Sequence, residues 1–251
     1  MVGPEGFPAT PEEFERQLPI AVLALIGGPS VAGVLLTGLV HGRAGLREFL
    51  SRLLTWQVSI RWYAIALLTA PLVMLGILLP LSLVSPDFRP GILTEDDWAS
   101  FLLLSFAIAL AASIFEELGW TGFATPELRR RYGILTTGVV LGGLWAVWHW
   151  LTGYWGSVAV AGEISLPVLL LDPILYLGAF RVLMVWVFDR TESLFVVMLM
   201  HGSLTATARV IFPKGIGDSL IVVDLIWFVV MLLIVAAIYV ANGGQLERRG
   251  A

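Results

Sequence analysis

The most constraining feature of this sequence is a series of seven apolar stretches that are almost free of charge. A transmembrane α-helix needs about 20 apolar residues to cross a hydrocarbon core of ~30 Å. Backbone groups that face lipid must pair within their own segment, so these stretches must be helices. They cover approximately residues 18–40, 62–84, 101–123, 134–151, 166–188, 194–212 and 220–241. We therefore predict an all-α, polytopic membrane bundle of about seven transmembrane helices.

The composition agrees with this fold class and excludes several kinds of site. Hydrophobic residues make up 58% of the 251 residues and charged residues 14%, against roughly 25% charged in an ordinary globular domain. The absence of cysteine excludes disulfides, thiolate nucleophiles and cysteine-ligated zinc. The net charge of −4 leaves no basic tract, so we expect no nucleic-acid partner.

The chain shows no repeat and no linker that would separate two domains. We predict an acidic N-terminal segment at residues 1–17, a single bundle at 18–241 and a tail at 242–251. The first connection between spans also predicts an amphipathic helix on the inner membrane surface. The apolar face of this helix consists of Leu46, Phe49, Leu50, Leu53 and Leu54. Its basic face consists of Arg43, Arg47 and Arg52.

The basic residues predict an orientation in the membrane. Eleven of the fifteen fall in alternate connections and the C-terminal tail, and the positive-inside rule assigns that side to the cytoplasm. The N-terminus is then outside and the C-terminus inside. Because fourteen of the fifteen are Arg, codon bias favours a GC-rich bacterial genome, so we expect an integral protein of a bacterial cytoplasmic membrane.

Ionisable side chains at membrane depth are costly and are functional candidates by default. Glu116 and Glu117 lie late in the third stretch, His149 in the fourth and His201 in the sixth. Successive helical residues are about 100° apart, so one carboxylate can face a cavity while its neighbour meets a partner on another helix. Two acids and two histidines on three spans favour a functional site over simple polar contacts between helices.

Two chemistries fit this set. A carboxylate and a neutral imidazole can activate water, while a second imidazole and a hydroxyl stabilise the oxyanion that forms when water attacks an amide. Alternatively, Glu116, His149 and His201 can ligate a divalent metal such as zinc. The sequence does not separate these alternatives, and the first requires no cofactor.

The pattern resembles the CPBP intramembrane proteases, also called the Abi or CAAX-protease family, which includes the Ras-converting endopeptidase. Glu116 and Glu117 match the family's Glu-Glu-x-x-x-Arg motif. Trp145 and His149 match Phe-x-x-x-His, and His201 matches His-x-x-x-Asn or Asp. The resemblance implies a core at about residues 98–212, with Glu116 activating water together with His149 and with His201 helping to form the oxyanion site.

The resemblance implies an endopeptidase that cleaves a membrane-associated peptide or protein, with prenylated CAAX-type substrates among the candidates. Two positions depart from the motifs: Thr121 replaces Arg, and Thr205 replaces Asn or Asp. These departures keep open a catalytically silent scaffold or bacteriocin-immunity protein with the same fold. A proton-coupled transporter is a third alternative, because it would use the same buried acids.

The departures lead to structural predictions. We expect Thr121 to hydrogen-bond Glu117 and Arg181 to supply the missing cation, because an unpaired buried carboxylate does not stay charged. Glu116 and His149 fall at different depths in straight helices, so we predict an irregular segment at residues 121–126 that lines the cavity. That cavity is expected between the third, fourth and sixth spans.

Three other ionisable residues are interpreted as outside the site. Asp172 and Asp224 are isolated acids in the sequence. Asp172 precedes Pro173 and is taken to mark a helix distortion, whereas Asp224 is placed near the interface. His41 begins the Arg-rich connection, and we expect it at the membrane interface rather than in a ligand set.

Overall fold

The computed structural model describes residues 10–159, 165–213 and 216–247, and in these ranges the regular structure is helical. The predicted fold class is therefore confirmed. The helices are α1 (Pro11–Leu53), α2 (Ile60–Ser82), α3 (Trp98–Gly119), α4 (Thr125–Arg129), α5 (Ile134–Ala159), α6 (Leu166–Thr191), α7 (Leu194–Val210) and α8 (Leu220–Ala241). Residues 1–9 and 248–251 of the predicted terminal segments lie outside the described ranges, as does Lys214.

Six stretches of the described residues are long and apolar enough to cross a membrane. The seventh predicted span forms α7, which has 17 residues and is shorter than the other spans. α7 nevertheless lies inside the bundle, where it packs against α2, α3 and α6. Protein neighbours therefore bury much of its surface, and a helix in that position does not need a full apolar length to face lipid.

α6 is the central helix of the bundle. It packs most extensively against α5, and also against α7 and α8. Its buried side chains include Phe180 and Arg181, which are both fully shielded. α6 runs through Pro173 as one continuous helix. An arginine in the middle of the most enclosed helix requires an ionic partner inside the protein.

α1 changes direction at Gly42, where φ is 60° and ψ is −153°. This backbone conformation is essentially restricted to glycine. Residues 43–53 continue as a helix, as predicted for the first connection. Its apolar face is divided, because Phe49 is buried against Leu194 and Met198 whereas Leu50 stays exposed. Its placement on the membrane surface stays a prediction.

Glycines let α1 and α3 cross closely at the C-terminal end of α3, next to Glu116 and Glu117. A Cβ atom on Gly33 would lie 2.5 Å from the carbonyl oxygen of Leu118, and one on Gly119 would overlap Pro29. Ser30 adds a hydrogen bond from its hydroxyl to the carbonyl oxygen of Phe115, at 2.5 Å. The crossing therefore fixes the end of α3 from which Glu116 and Glu117 project.

We expect Gly119→Val to lower the stability of the bundle by about 1–3 kcal/mol, because the new side chain overpacks the crossing. Thermal unfolding in detergent micelles measures the change. Gly143→Val is the matched control, since no atom lies within 4 Å of a Cβ placed there. Equal unfolding temperatures for the two variants would contradict a tight crossing.

Candidate active site

Glu116 and Glu117 point to different partners, as their helical spacing predicts. Glu117 is fully buried, and its Oε1 accepts hydrogen bonds from Arg181 Nη1 at 2.7 Å and from His201 Nδ1 at 3.0 Å. The Thr121 hydroxyl donates to the other oxygen of the same carboxylate. Glu117 thus joins α3, α6 and α7 through one side chain.

Arg181 supplies the cation that the sequence lacks at position 121. Besides Glu117, it donates through Nη2 to the hydroxyls of Thr121 at 3.0 Å and Thr125 at 3.4 Å. Its guanidinium also lies over the indole of Trp145, with 5.5 Å between the guanidinium carbon and the ring centroid. The predicted contacts of Arg181 and Thr121 with Glu117 are therefore present.

A π-helical turn at Trp120–Ala124 interrupts the helix after Gly119. The irregularity predicted at residues 121–126 is thus a widened turn, and α4 follows directly. The turn directs Thr121 and Thr125 to Arg181, while the Thr125 hydroxyl also donates to the carbonyl oxygen of Trp120 at 2.8 Å. Local widening of a helix is a common way to build a functional site.

The segment does not line the cavity that contains the histidines. Gly122, Phe123 and Pro126 instead line a separate polar pocket of about 380 Å³, which also includes His41. His41 Nε2 lies 2.8 Å from Glu127 Oε1, so this histidine belongs to the α1–α4 contact. The predicted place of residues 121–126 was wrong because the widened turn directs its polar side chains toward α6.

Trp145 contacts all three predicted catalytic side chains. Its indole N–H donates to Glu116 Oε2 at 2.9 Å. Its ring centroid lies 5.4 Å from that of His149 and 4.9 Å from that of His201, and both contacts are edge-to-face. The indole is almost fully buried, so this one residue fixes the relative positions of the carboxylate and the two imidazoles.

The hydrogen bonds of the histidines define their tautomers. His149 Nδ1 lies 2.9 Å from the carbonyl oxygen of Trp145, which has no hydrogen to give. Nδ1 must therefore carry the proton, and Nε2 has the lone pair in the neutral ring. The same reasoning applies to His201, whose Nδ1 faces the Arg181-paired carboxylate of Glu117. In each neutral imidazole, Nε2 therefore holds the lone pair.

The two histidines line a cavity of about 710 Å³. Trp145 and Thr205 contribute to the same wall, and Thr205 lies one turn after His201, as predicted. The wall comes from α5, α6, α7 and the start of α8, whereas the sequence placed the cavity against the third span. Trp145 connects the third span to this wall, because its indole lines the cavity and donates to Glu116, which is not among the lining residues.

The part of the chain that carries these residues is similar to known proteins. Residues 98–207 match the family model described as type II CAAX prenyl endopeptidase Rce1-like. The predicted family resemblance is confirmed. A protein named CAAX prenyl protease 2, from Methanococcus maripaludis, is 29% identical over 109 residues. The aligned region is 41% of this chain and 39% of that protein, so the chain matches less than half the length of this relative.

The CAAX-protease match begins at the start of α3 and ends within α7. It therefore includes the acidic pair, both cavity histidines and Arg181. It also includes Thr121 and Thr205, the two positions that depart from the family motifs. It ends before α8, so the contribution of α8 to the cavity lies outside the matched residues.

A metal centre fits this site poorly. Within the described ranges, no group of three or more His, Cys, Asp or Glu side chains is placed to hold a metal ion. The alternative ligands Glu116, His149 and His201 surround the indole of Trp145 instead of one shared point. We therefore derive no reaction step through a metal.

Sequence reasoning missed two acids at the cavity that contains the histidines. Asp172 lines the cavity, and Asp224 is fully buried on α8 beside it. The interpretation of these acids as isolated was wrong, because α6 and α8 pack together and bring them into contact. The rule that marks Glu116 as a functional candidate, an acid at membrane depth, applied equally to both aspartates.

Proposed function

We propose that this protein is an intramembrane endopeptidase that hydrolyses a peptide bond in a membrane-associated substrate. The main support is the convergence of Glu116, His149 and His201 on Trp145, beside a large cavity within the bundle. The match to the CAAX prenyl endopeptidase family supports the same reaction class. The six long apolar helices are consistent with a substrate that reaches the site through the membrane.

In the proposed reaction, Glu116 orients a water molecule and His149 Nε2 accepts one of its protons. The water oxygen then bonds to the carbonyl carbon of the substrate. The proton on His149 passes to the amide nitrogen as the carbon–nitrogen bond breaks. The products are a new carboxyl terminus and an amine, and no covalent enzyme intermediate is required.

His201 and Thr205 are proposed to stabilise the oxyanion. Because Nδ1 of His201 already donates to Glu117, the ring donates from Nε2 when it carries a second proton. The buried carboxylate of Glu117 is placed to support that positive charge. The Thr205 hydroxyl provides a second donor from the next turn of α7.

We infer that the substrate has a large apolar part. Much of the cavity wall is apolar and includes Val168, Leu169, Leu177, Leu204 and Phe212. Such a wall suits an amphipathic peptide or a prenyl chain, since burial of apolar surface is favourable. Because the relative from Methanococcus maripaludis is named a CAAX prenyl protease, a farnesylated peptide ending in Cys-a-a-X is the first substrate to test.

Glu116→Gln tests the proposed function. The variant keeps the shape and the hydrogen bond from Trp145 but cannot act on water as a carboxylate. We expect cleavage of a quenched fluorescent, farnesylated peptide in micelles to fall by about 10²–10⁴-fold. The unfolding temperature should stay close to that of the wild type.

Glu48→Gln is the matched control, because Glu48 is exposed and pairs with Arg52 outside the cavity. A folded Glu116→Gln variant that cleaves at the wild-type rate would contradict the mechanism. Binding of farnesylated and unmodified amphipathic peptides without cleavage by the wild type would instead favour the silent scaffold.

A further inference from the structure

Asp172 gives the cavity a local negative character. It is the one carboxylic acid among the described residues of the cavity wall, and that part of the wall contains no Lys or Arg. The surrounding side chains include Val168, Leu169 and Leu177. An acid in such surroundings requires a compensating partner, because burial of an unpaired charge is costly.

Asp224 lies behind Asp172 and makes this requirement stronger. It is fully shielded from solvent, and its carboxyl group is within hydrogen-bonding reach of the Asp172 carboxyl. No donor among the described residues forms a hydrogen bond with either carboxyl oxygen of Asp224. Two carboxyl groups that meet without a donor need a proton or a cation between them.

The neighbouring polar groups have other partners. The Tyr176 hydroxyl donates to the carbonyl oxygen of Leu204 at 3.1 Å, and the Trp227 indole donates to the carbonyl oxygen of Tyr176 at 2.9 Å. Arg181 is bound to Glu117. His149 from α5 is an ionisable neighbour of Asp172, and its Nδ1 faces the carbonyl oxygen of Trp145.

We propose that Asp172 and Asp224 form a subsite for a basic side chain, Lys or Arg, of the substrate peptide. The ligand's identity as a substrate rests on the proposed function. The apolar wall accommodates the methylene stem of such a side chain, while its cationic end reaches Asp172. Without substrate, the two carboxyls share one proton, which passes to water when the cation binds.

Binding measurements test this subsite without requiring catalysis. The protein used is the Glu116→Gln variant, in which cleavage of the peptides is expected to be slow. Fluorescence anisotropy in micelles measures its affinity for pairs of amphipathic peptides. The two peptides of a pair differ at one position, which is Lys in one and uncharged norleucine in the other, and each position is tested in turn. At one position, we expect the Lys peptide to bind at least about tenfold more tightly than the norleucine peptide, because the Lys ammonium forms a charge-assisted hydrogen bond with Asp172. Asp224→Asn and Asp172→Asn should each remove most of this ratio.

Asp87→Asn is the control, since it removes one exposed aspartate outside the cavity and should leave the ratio unchanged. Unfolding temperatures establish that the aspartate variants are folded, as expected for isosteric changes. Equal affinities for the Lys and norleucine peptides at every position would overturn the subsite, as would a Lys preference that survives in folded Asp224→Asn. Neither result depends on hydrolysis, so the subsite and the proposed activity fail separately.

Discussion

Replacing Arg181 with Met is expected to destabilise the bundle by about 3–5 kcal/mol, because it leaves Glu117 as an uncompensated buried carboxylate. Arg181 and Glu117 are both fully shielded and are joined at 2.7 Å. Met retains much of the length of the side chain, so the loss is mainly ionic. Thermal unfolding in micelles and the fraction of folded protein recovered from membranes measure the effect.

Two comparisons separate the ion pair from a general loss of packing. Arg52→Met removes the charge of a pair with the exposed Glu48, and we expect a change of about 0–1 kcal/mol. Combining Arg181→Met with Glu117→Gln should recover part of the lost stability, since the orphaned charge is removed. Wild-type stability and activity in Arg181→Met would show that Glu117 does not depend on this cation.

Replacing His149 with Gln is expected to reduce the rate of peptide cleavage by about 10²–10⁴-fold, because Gln cannot accept the proton of the attacking water. His149 is half-buried on the cavity wall, so the fold should tolerate this change. Single-turnover cleavage of the farnesylated peptide by purified protein measures the chemical step.

The chain contains a matched control for this substitution. His41 lies in the separate polar pocket and contacts Glu127, so His41→Gln should leave the rate close to that of the wild type. Equal rates in the two variants would remove His149 from the mechanism. An unfolding temperature that is lower in His149→Gln but not in His41→Gln would indicate a structural role for His149 instead.

The sequence predicts some of the contacts of Glu117, and only the tertiary structure shows the others. The departure at Thr121 already required another cation, and Arg181 was the predicted substitute because it lies in an apolar span. The bond from His201 to the same carboxylate was not predictable, because α3 and α7 are 84 residues apart at this contact.

The sequence by itself determined the helical membrane fold, the resemblance to CAAX proteases and the candidate acids and histidines. These features depend on segment length, hydrophobicity and local spacing, which the order of residues specifies directly. Tertiary packing decided that Trp145 donates to Glu116 while it lines the cavity, and that Asp172 meets Asp224. Contacts between distant helices depend on which faces pack together, and that choice is made by the bundle as a whole.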